Sequence, residues 1–249
     1  MYNLLSAKNV SLNVQTKFSD FHMKRTLLHG SHMSQVYVTV RTGQTGRILK
    51  IAFNATDAPA KVVAHVEEAG RFLTLSTGAI TNEDTKVRVE DDKTLVVETP
   101  KWILKAQVSA FPYGKRNAQK RLIDVAIRPQ PGYKPDVDQV APHGIVGQSF
   151  DGDAIAISGA MDEHIDGSEA TEKTTKAQAE GAIEGVIADY KMPSAFATNF
   201  KYSRFDAVQA TVRNISALTG IRTARTARTA RAAAGVLAFK TEVVEQTVA

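Results

Sequence analysis

The sequence predicts a mainly β protein. An antiparallel β-sandwich-like domain over residues 1–206 is followed by a basic helical extension over residues 207–249. Three observations predict this. Short runs of alternating apolar and polar residues recur between residues 36 and 128, which is the period of a half-buried strand. No long helical pattern interrupts them, so parallel βαβ architectures, which need a crossover helix, do not fit. After residue 206 the composition turns to Ala, Thr and Arg in a low-complexity run.

The elements follow in order. Val36-Tyr37-Val38-Thr39-Val40-Arg41 alternates strictly, Gly43-Gln44-Thr45-Gly46 is a turn signal, and residues 48–53 make the second arm of a hairpin. Further strands are expected at 61–66, 71–76, 86–90, 94–98, 102–110 and 122–128, with Asp91-Asp92-Lys93 as a polar turn. Short strands at this spacing predict a sandwich or an antiparallel meander. Residues 129–153 carry Pro129, Pro131, Pro135 and Pro142 with Gly132, Gly144, Gly147 and Gly152. Proline lacks the ladder donor and glycine permits positive φ, so an ordered loop is expected there. Residues 174–187 suit a short helix weakened by Gly181 and Gly185, and residues 195–205 read as extended and aromatic-rich. Residues 207–238 read as helix. Arg222, Arg225, Arg228 and Arg231 recur every three residues, so on a helix of 3.6 residues per turn they spiral and form no single stripe.

The formal net charge of +5 hides a segregation. Residues 1–150 hold 20 Lys/Arg against 13 Asp/Glu, residues 151–200 hold 3 against 10, and residues 201–249 hold 8 against 3. The first 200 residues are therefore neutral, and the basic excess belongs to the end of the chain. That argues against a nucleic-acid-binding body, which spreads its basic residues over a folded face. It favours a protein surface or an anionic partner for the extension, through Arg222, Arg225, Arg228 and Arg231. No run is apolar for long enough to span a bilayer, and residues 1–14 lack the basic-then-apolar pattern of a secretory leader. Cysteine is absent, which excludes disulfides, thiolate metal sites and a cysteine nucleophile.

Candidate chemistry is sparse. His22, His29 and His32 lie close in sequence with Asp20, but spacings of seven and three residues match no zinc pattern, and polar loop histidines are the simpler reading. Asp151, Asp153 and Asp162 sit in a carboxylate-rich stretch of the kind that suits Ca²⁺, although the EF-hand order is missing and a solvated acidic loop explains it as well. No other cofactor is called for. Ser149 is near His143 without a Gly-x-Ser-x-Gly turn, and neither a phosphate loop nor a dinucleotide fingerprint occurs. Sequons at Asn9, Asn54 and Asn214 matter only in a secretory route. Trp102, the single tryptophan, is either a core residue in a strand or a stacking platform for a sugar.

One stretch is distinctive. In His143-Gly144-Ile145-Val146-Gly147-Gln148-Ser149-Phe150 the two glycines permit a tight backbone path, and the Gln148 amide is able to bond two backbone groups at once. Ile145, Val146 and Phe150 are placed to plug the open end of a sheet. A structural latch built on His143, Gly144, Gly147 and Gln148 is expected, with a ligand site as the rival.

Several separated motifs resemble plant root-cap / late-embryogenesis-abundant-like proteins, distant relatives of the von Willebrand factor type D domain. They are Asp20 to Gly30 with its Asp-x-His opening, Thr94 to Val108, Leu122-Ile123-Asp124-Val125, the element His143 to Phe150, and Phe196 to Phe200 with Arg204-Phe205. The resemblance covers roughly residues 1–206 and is most specific at Gly144 to Phe150. It implies a β-rich domain acting as a structural or interaction module, with no catalytic residues to carry over. The chain departs from that family in having no cysteine, so the family's disulfides are not carried over. A non-enzymatic module working by protein association, as a subunit of a larger assembly, is the expected function; a calcium- or carbohydrate-binding module is the alternative.

Overall fold

The computed structural model describes residues 1–23, 26–43, 45–55, 64–91, 93–110, 121–151 and 183–207, and of residues 19–23, 26–30 and 137 the backbone alone. Eleven strands are described. In chain order they are β1 (Tyr2–Ala7), β2 (Val10–Met23), β3 (Thr26–Arg41), β4 (Ile48–Asn54), β5 (Ala64–Glu68), β6 (Arg71–Leu75), β7 (Gly78–Asn82), β8 (Thr85–Glu90), β9 (Thr94–Glu98), β10 (Trp102–Ala110) and β11 (Arg121–Pro129). They form two antiparallel sheets. One has six strands in the order β1-β2-β3-β4-β5-β6, and the other has five in the order β11-β10-β9-β8-β7. Spatial order follows chain order in both, so each sheet is a meander. The expected mainly β, antiparallel, sandwich-like class is what the described residues adopt. Among them no helix is long and apolar enough to cross a membrane.

The alternation seen in sequence sets the layers. In β4 every second residue, Leu49, Ile51 and Phe53, is buried, and in β10 the buried set is Trp102, Leu104, Ala106 and Val108. These faces meet Leu12, Val14, Val36 and Val38 from β2 and β3, and Val87, Leu95, Val97 and Ile123 from the second sheet, in one hydrophobic cluster. The gap left between the sheets, lined by Leu12, Val36, Val38, Leu95, Val97 and Leu104, is about 10 Å³ and holds no more than a water. Tight turns link the strands. Between β5 and β6, Ala69 and Gly70 both have positive φ (48° and 79°), which matches a two-residue turn whose twist suits the hairpin.

Strands 94–98 and 102–110 fall at the residues expected, and the 36–41/48–53 pair is the β3–β4 hairpin. β1, β2, β7 and the first half of β3 were not expected. β1 is buried on both faces from Asn3 onward, so it shows no period-2 pattern. β7 is an exposed edge with no apolar pattern. Residues 195–205, expected to be extended, form no strand and run as turns and loop instead. They cross a sheet face and bond to its side chains, so they need no ladder. The loop expected at 129–153 is present through Asp151, with 3-10 turns at Pro135–Val137 and Gly147–Phe150. Of the expected 174–187 helix, residues 183–186 are not helical, Val186 being extended (φ −128°, ψ 157°), and Ile187 opens a 3-10 turn, Ile187–Tyr190. Residues 174–182, residues 208–238 of the expected 207–238 helix and the arginine repeat lie outside the described residues.

Two departures from a plain sandwich position everything that follows. First, β1 pairs with β2 as far as Val14 and β4 pairs with β3 as far as Gln35, but β2 and β3 continue together to the Met23–Thr26 pair. Residues 16–23 and 26–33 are thus a two-stranded ribbon leaving the six-stranded sheet. Second, residues 183–207 form a strap over the outer face of β1–β3. Asn13 donates to the carbonyls of Ala195 (2.9 Å) and Ala197 (2.8 Å), Phe196 packs edge-on to Tyr37 at 5.4 Å, and Arg41 pairs with Asp206.

Candidate functional site

The loop 143–150 and the strap meet at the free edge of β1. The loop acts as a partial seventh strand there. His143 and Ser6 exchange backbone hydrogen bonds (2.7 and 2.6 Å), Ile145 N–H donates to the Asn3 carbonyl (3.1 Å) and Val146 N–H to the Leu4 carbonyl (2.9 Å). Such close passage explains the glycines. Gly144 has φ of +110°, and a Cβ there would lie 2.6 Å from both Asn3 Oδ1 and the Leu4 carbonyl. At Gly147 a Cβ would touch Leu5 Cδ1 at 3.0 Å. Gln148 is buried, and its amide bonds two backbone groups: Nε2 donates to the Ile145 carbonyl (3.0 Å), and Oε1 accepts from Glu184 N–H (2.9 Å). The first bond closes the loop on itself; the second ties it to the strap. Ile145, Val146 and Phe150 pack against the core.

His143 forms the second tie. Its ring is buried, stacked on Tyr202 at 4.5 Å and on Tyr190 at 5.9 Å. Nδ1 accepts the Gly144 N–H at 2.8 Å, and Nε2 lies 2.9 Å from Glu184 Oε2. An Nδ1 that accepts carries no proton, so the geometry calls for the neutral ring with its hydrogen on Nε2, donated to Glu184. Burial is the main cause that holds the ring's pKa below the ordinary histidine value; the nearby Arg204 acts the same way, and Glu184 opposes both. Tyr190 donates to the Glu184 carbonyl (2.8 Å), and burial pushes its hydroxyl pKa up. Arg204 N–H donates to Ser6 Oγ at 2.8 Å. Lys201 at 2.8 Å holds the Asp189 carboxyl below its usual range.

The hydrogen bonds of this cluster are made within the protein. Both ring nitrogens of His143 are engaged by groups of the protein, and the buried ring stacks beside Tyr190 and Tyr202, whose own rings lie 5.3 Å apart. A general base must reach a substrate proton, and this one reaches the protein. Trp102 is fully buried, edge-on to Tyr133 (5.6 Å) and Phe150 (5.4 Å). It is a core residue, so the sugar-platform alternative loses its residue.

The remaining sequence candidates separate. Asp151 closes the described part of the loop and engages the protein itself, while Asp153 and Asp162 lie outside the described residues. Arg222, Arg225, Arg228 and Arg231 also lie outside them. On the ribbon, register sets Asp20 opposite His29 and Lys17 opposite His32. His29 and His32 are an odd number of positions apart, so the three histidine positions do not share a face. Among the described residues no group of three or more His, Asp or Glu is placed to hold a metal ion. Sequence reasoning missed Ser6, Glu184, Tyr190 and Arg204. They reach His143 and Gln148 from far along the chain, and the aromatic richness of residues 195–205 was the only signal. Comparison with protein-family models, with curated proteins and with solved structures found no match to this chain.

Proposed function

We propose that this chain is a non-enzymatic structural or interaction module that works by protein association, as a subunit of a larger assembly. The observation that carries the reading is the ribbon at residues 16–23 and 26–33. A two-stranded ribbon is marginal in water on its own, and this one presents Phe18 at 87% exposure. Edge strand β6 adds Phe72 and Leu73, exposed on a strand whose outer edge pairs with no other strand among the described residues. The polar cluster at His143 is consistent with this reading, because its hydrogen bonds join chain segments and leave none for a substrate. The resemblance to plant root-cap / late-embryogenesis-abundant-like proteins points the same way. It rests chiefly on Gly144 to Phe150, and a structural latch there is the role we propose for His143, Gly144, Gly147 and Gln148.

The test is co-purification from a native source with wild-type chain, Phe18→Ser and Phe72→Ser in parallel, with partners identified by mass spectrometry. Both side chains are exposed, so each change should move stability by no more than about 0.5 kcal/mol. Loss of the same specific partners from at least one variant, at unchanged melting temperature, is expected. An identical partner profile in all three, or turnover of an ester, glycoside or phosphoester by the wild type, overturns the proposal.

A further inference from the structure

The strap is held at its start by one titratable hinge, and the hinge tolerates one charge state. We infer that residues 183–207 form an acid-released strap: a proton on His143 Nδ1 drives the ring from its place against Gly144, breaks the junction that the ring makes with Glu184, Tyr190 and Tyr202 of the strap, and uncovers the outer face of β1.

The geometry carries this. Nδ1 faces the Gly144 N–H at 2.8 Å. A second proton on the ring turns that acceptor into a donor facing a donor, so the bond is lost and replaced by repulsion. Gly144 is hemmed in on one side, since the position a Cβ would take lies only 2.6 Å from Asn3 Oδ1 and from the Leu4 carbonyl. The groups facing the ring come from three elements. The loop brings the Gly144 N–H; β1 brings the Ser6 backbone, paired in both directions; the strap brings Glu184, Tyr190, Tyr202 and Arg204. Of the charged groups among these Glu184 alone favours the charged ring, and its side chain is 43% exposed and so partly screened. Arg204 opposes the charge, and the two tyrosine rings exclude water that would otherwise solvate it.

The sign follows from linkage. The ring of the closed strap takes up its proton below the ordinary value of about 6.5, whereas an opened strap leaves His143 in water near that value. Closure is therefore at full strength above about pH 6.5 and weakens as the pH falls from there through the buried ring's own pKa. One proton is linked, so the opening constant rises up to about tenfold per pH unit in that window. Opening frees the groups that the strap now engages: the Met1 carbonyl, which accepts from Met192 N–H (3.0 Å), Ser6 Oγ, which accepts from Arg204 N–H (2.8 Å), and the Asn13 amide. The device thus makes a protected sheet face available in acid.

The experiment is hydrogen exchange on the full chain between pH 8 and 5, corrected for intrinsic exchange and read separately for residues 183–207 and for β9 and β10. In the wild type, opening of the strap should rise up to about tenfold per pH unit below about 6.5 while β9 and β10 stay protected. His143→Asn keeps an acceptor for the Gly144 N–H and cannot titrate, so its strap should open independently of pH. A flat wild-type profile, or the same slope in His143→Asn, overturns the inference. If the variant does not fold, the wild-type ring decides by nitrogen NMR. A proton on Nε2 and titration below the ordinary histidine value support the inference; a proton on Nδ1, or titration at or above that value, refutes it.

Discussion

Replacing Gly144 by alanine tests how tightly the loop 143–150 is held against β1. At φ of +110° an L-residue is strained whatever the space around it, at a cost of about 1–2 kcal/mol. The space is also filled: the new Cβ would lie 2.6 Å from Asn3 Oδ1 and from the Leu4 carbonyl, and the Leu4 carbonyl is main chain. The loop must therefore lift. Lifting stretches the bonds from Ile145 N–H to Asn3 (3.1 Å) and from Val146 N–H to Leu4 (2.9 Å), each worth about 0.5–1.5 kcal/mol net. The sum is about 2–5 kcal/mol. Gly46 provides the control, because its φ is +65° and an added Cβ would meet nothing within 4 Å, so Gly46→Ala should cost only the strain. Urea unfolding followed by the fluorescence of Trp102, which packs on Phe150, gives both values. If Gly144→Ala is as stable as Gly46→Ala to within about 0.5 kcal/mol, the loop does not depend on its approach to β1.

Other expectations follow from the same structure. Gln148→Ala leaves Glu184 N–H and the Ile145 carbonyl without their partner and should cost about 1–3 kcal/mol in urea unfolding; unchanged stability with lost partner binding would make the element a ligand site. Phe53→Ala empties a fully buried position between the sheets and should cost about 3–5 kcal/mol by the same assay. Asp138 is partly buried, which works against its charge, yet hydrogen bonds from Lys101 and Tyr133 hold its carboxyl below the ordinary value. Its contribution is present above the unfolded carboxyl's pKa and is lost as pH falls through the folded one, so Asp138→Asn should flatten the acid limb of a stability–pH curve and leave the limb above pH 7 unchanged in slope. Removing residues 208–249, which carry Arg222, Arg225, Arg228 and Arg231, is expected to change the partner profile in co-purification. An unchanged partner profile after that cut would remove the arginine repeat as a docking element.

Much of the fold could be read where burial is one-sided. Ile48 to Phe53 and Trp102 to Val108 alternate because one face meets the core and the other does not, and that difference is written directly in side-chain type. β1 defeats the same rule. Asn3 and Ser6 are polar yet buried; the strap covers this strand from a layer no local pattern announces, and Arg204 N–H finds its acceptor in Ser6. The site behaved likewise. Gly144, Gly147 and Gln148 stood out because their chemistry is local: a close backbone approach and a two-sided amide. Glu184, Tyr190 and Arg204 did not, because their role depends on where a chain segment without regular structure crosses a sheet. The histidines of the ribbon were close in sequence, but register puts them on two faces.

The meander has a consequence for how the chain is made. Each strand pairs with its neighbour in sequence, so both sheets can zip up behind the ribosome with short loop closures. β1 is the exception. It is made well before its covers, since its free edge is sealed by residues 143–146 and its outer face by a segment reaching Phe205. At about 5–20 residues per second, synthesis leaves that edge open for on the order of ten to forty seconds. During that interval the nascent protein displays a bare strand to every neighbouring chain, and a holding chaperone at the ribosome exit would have its target in Tyr2–Ala7.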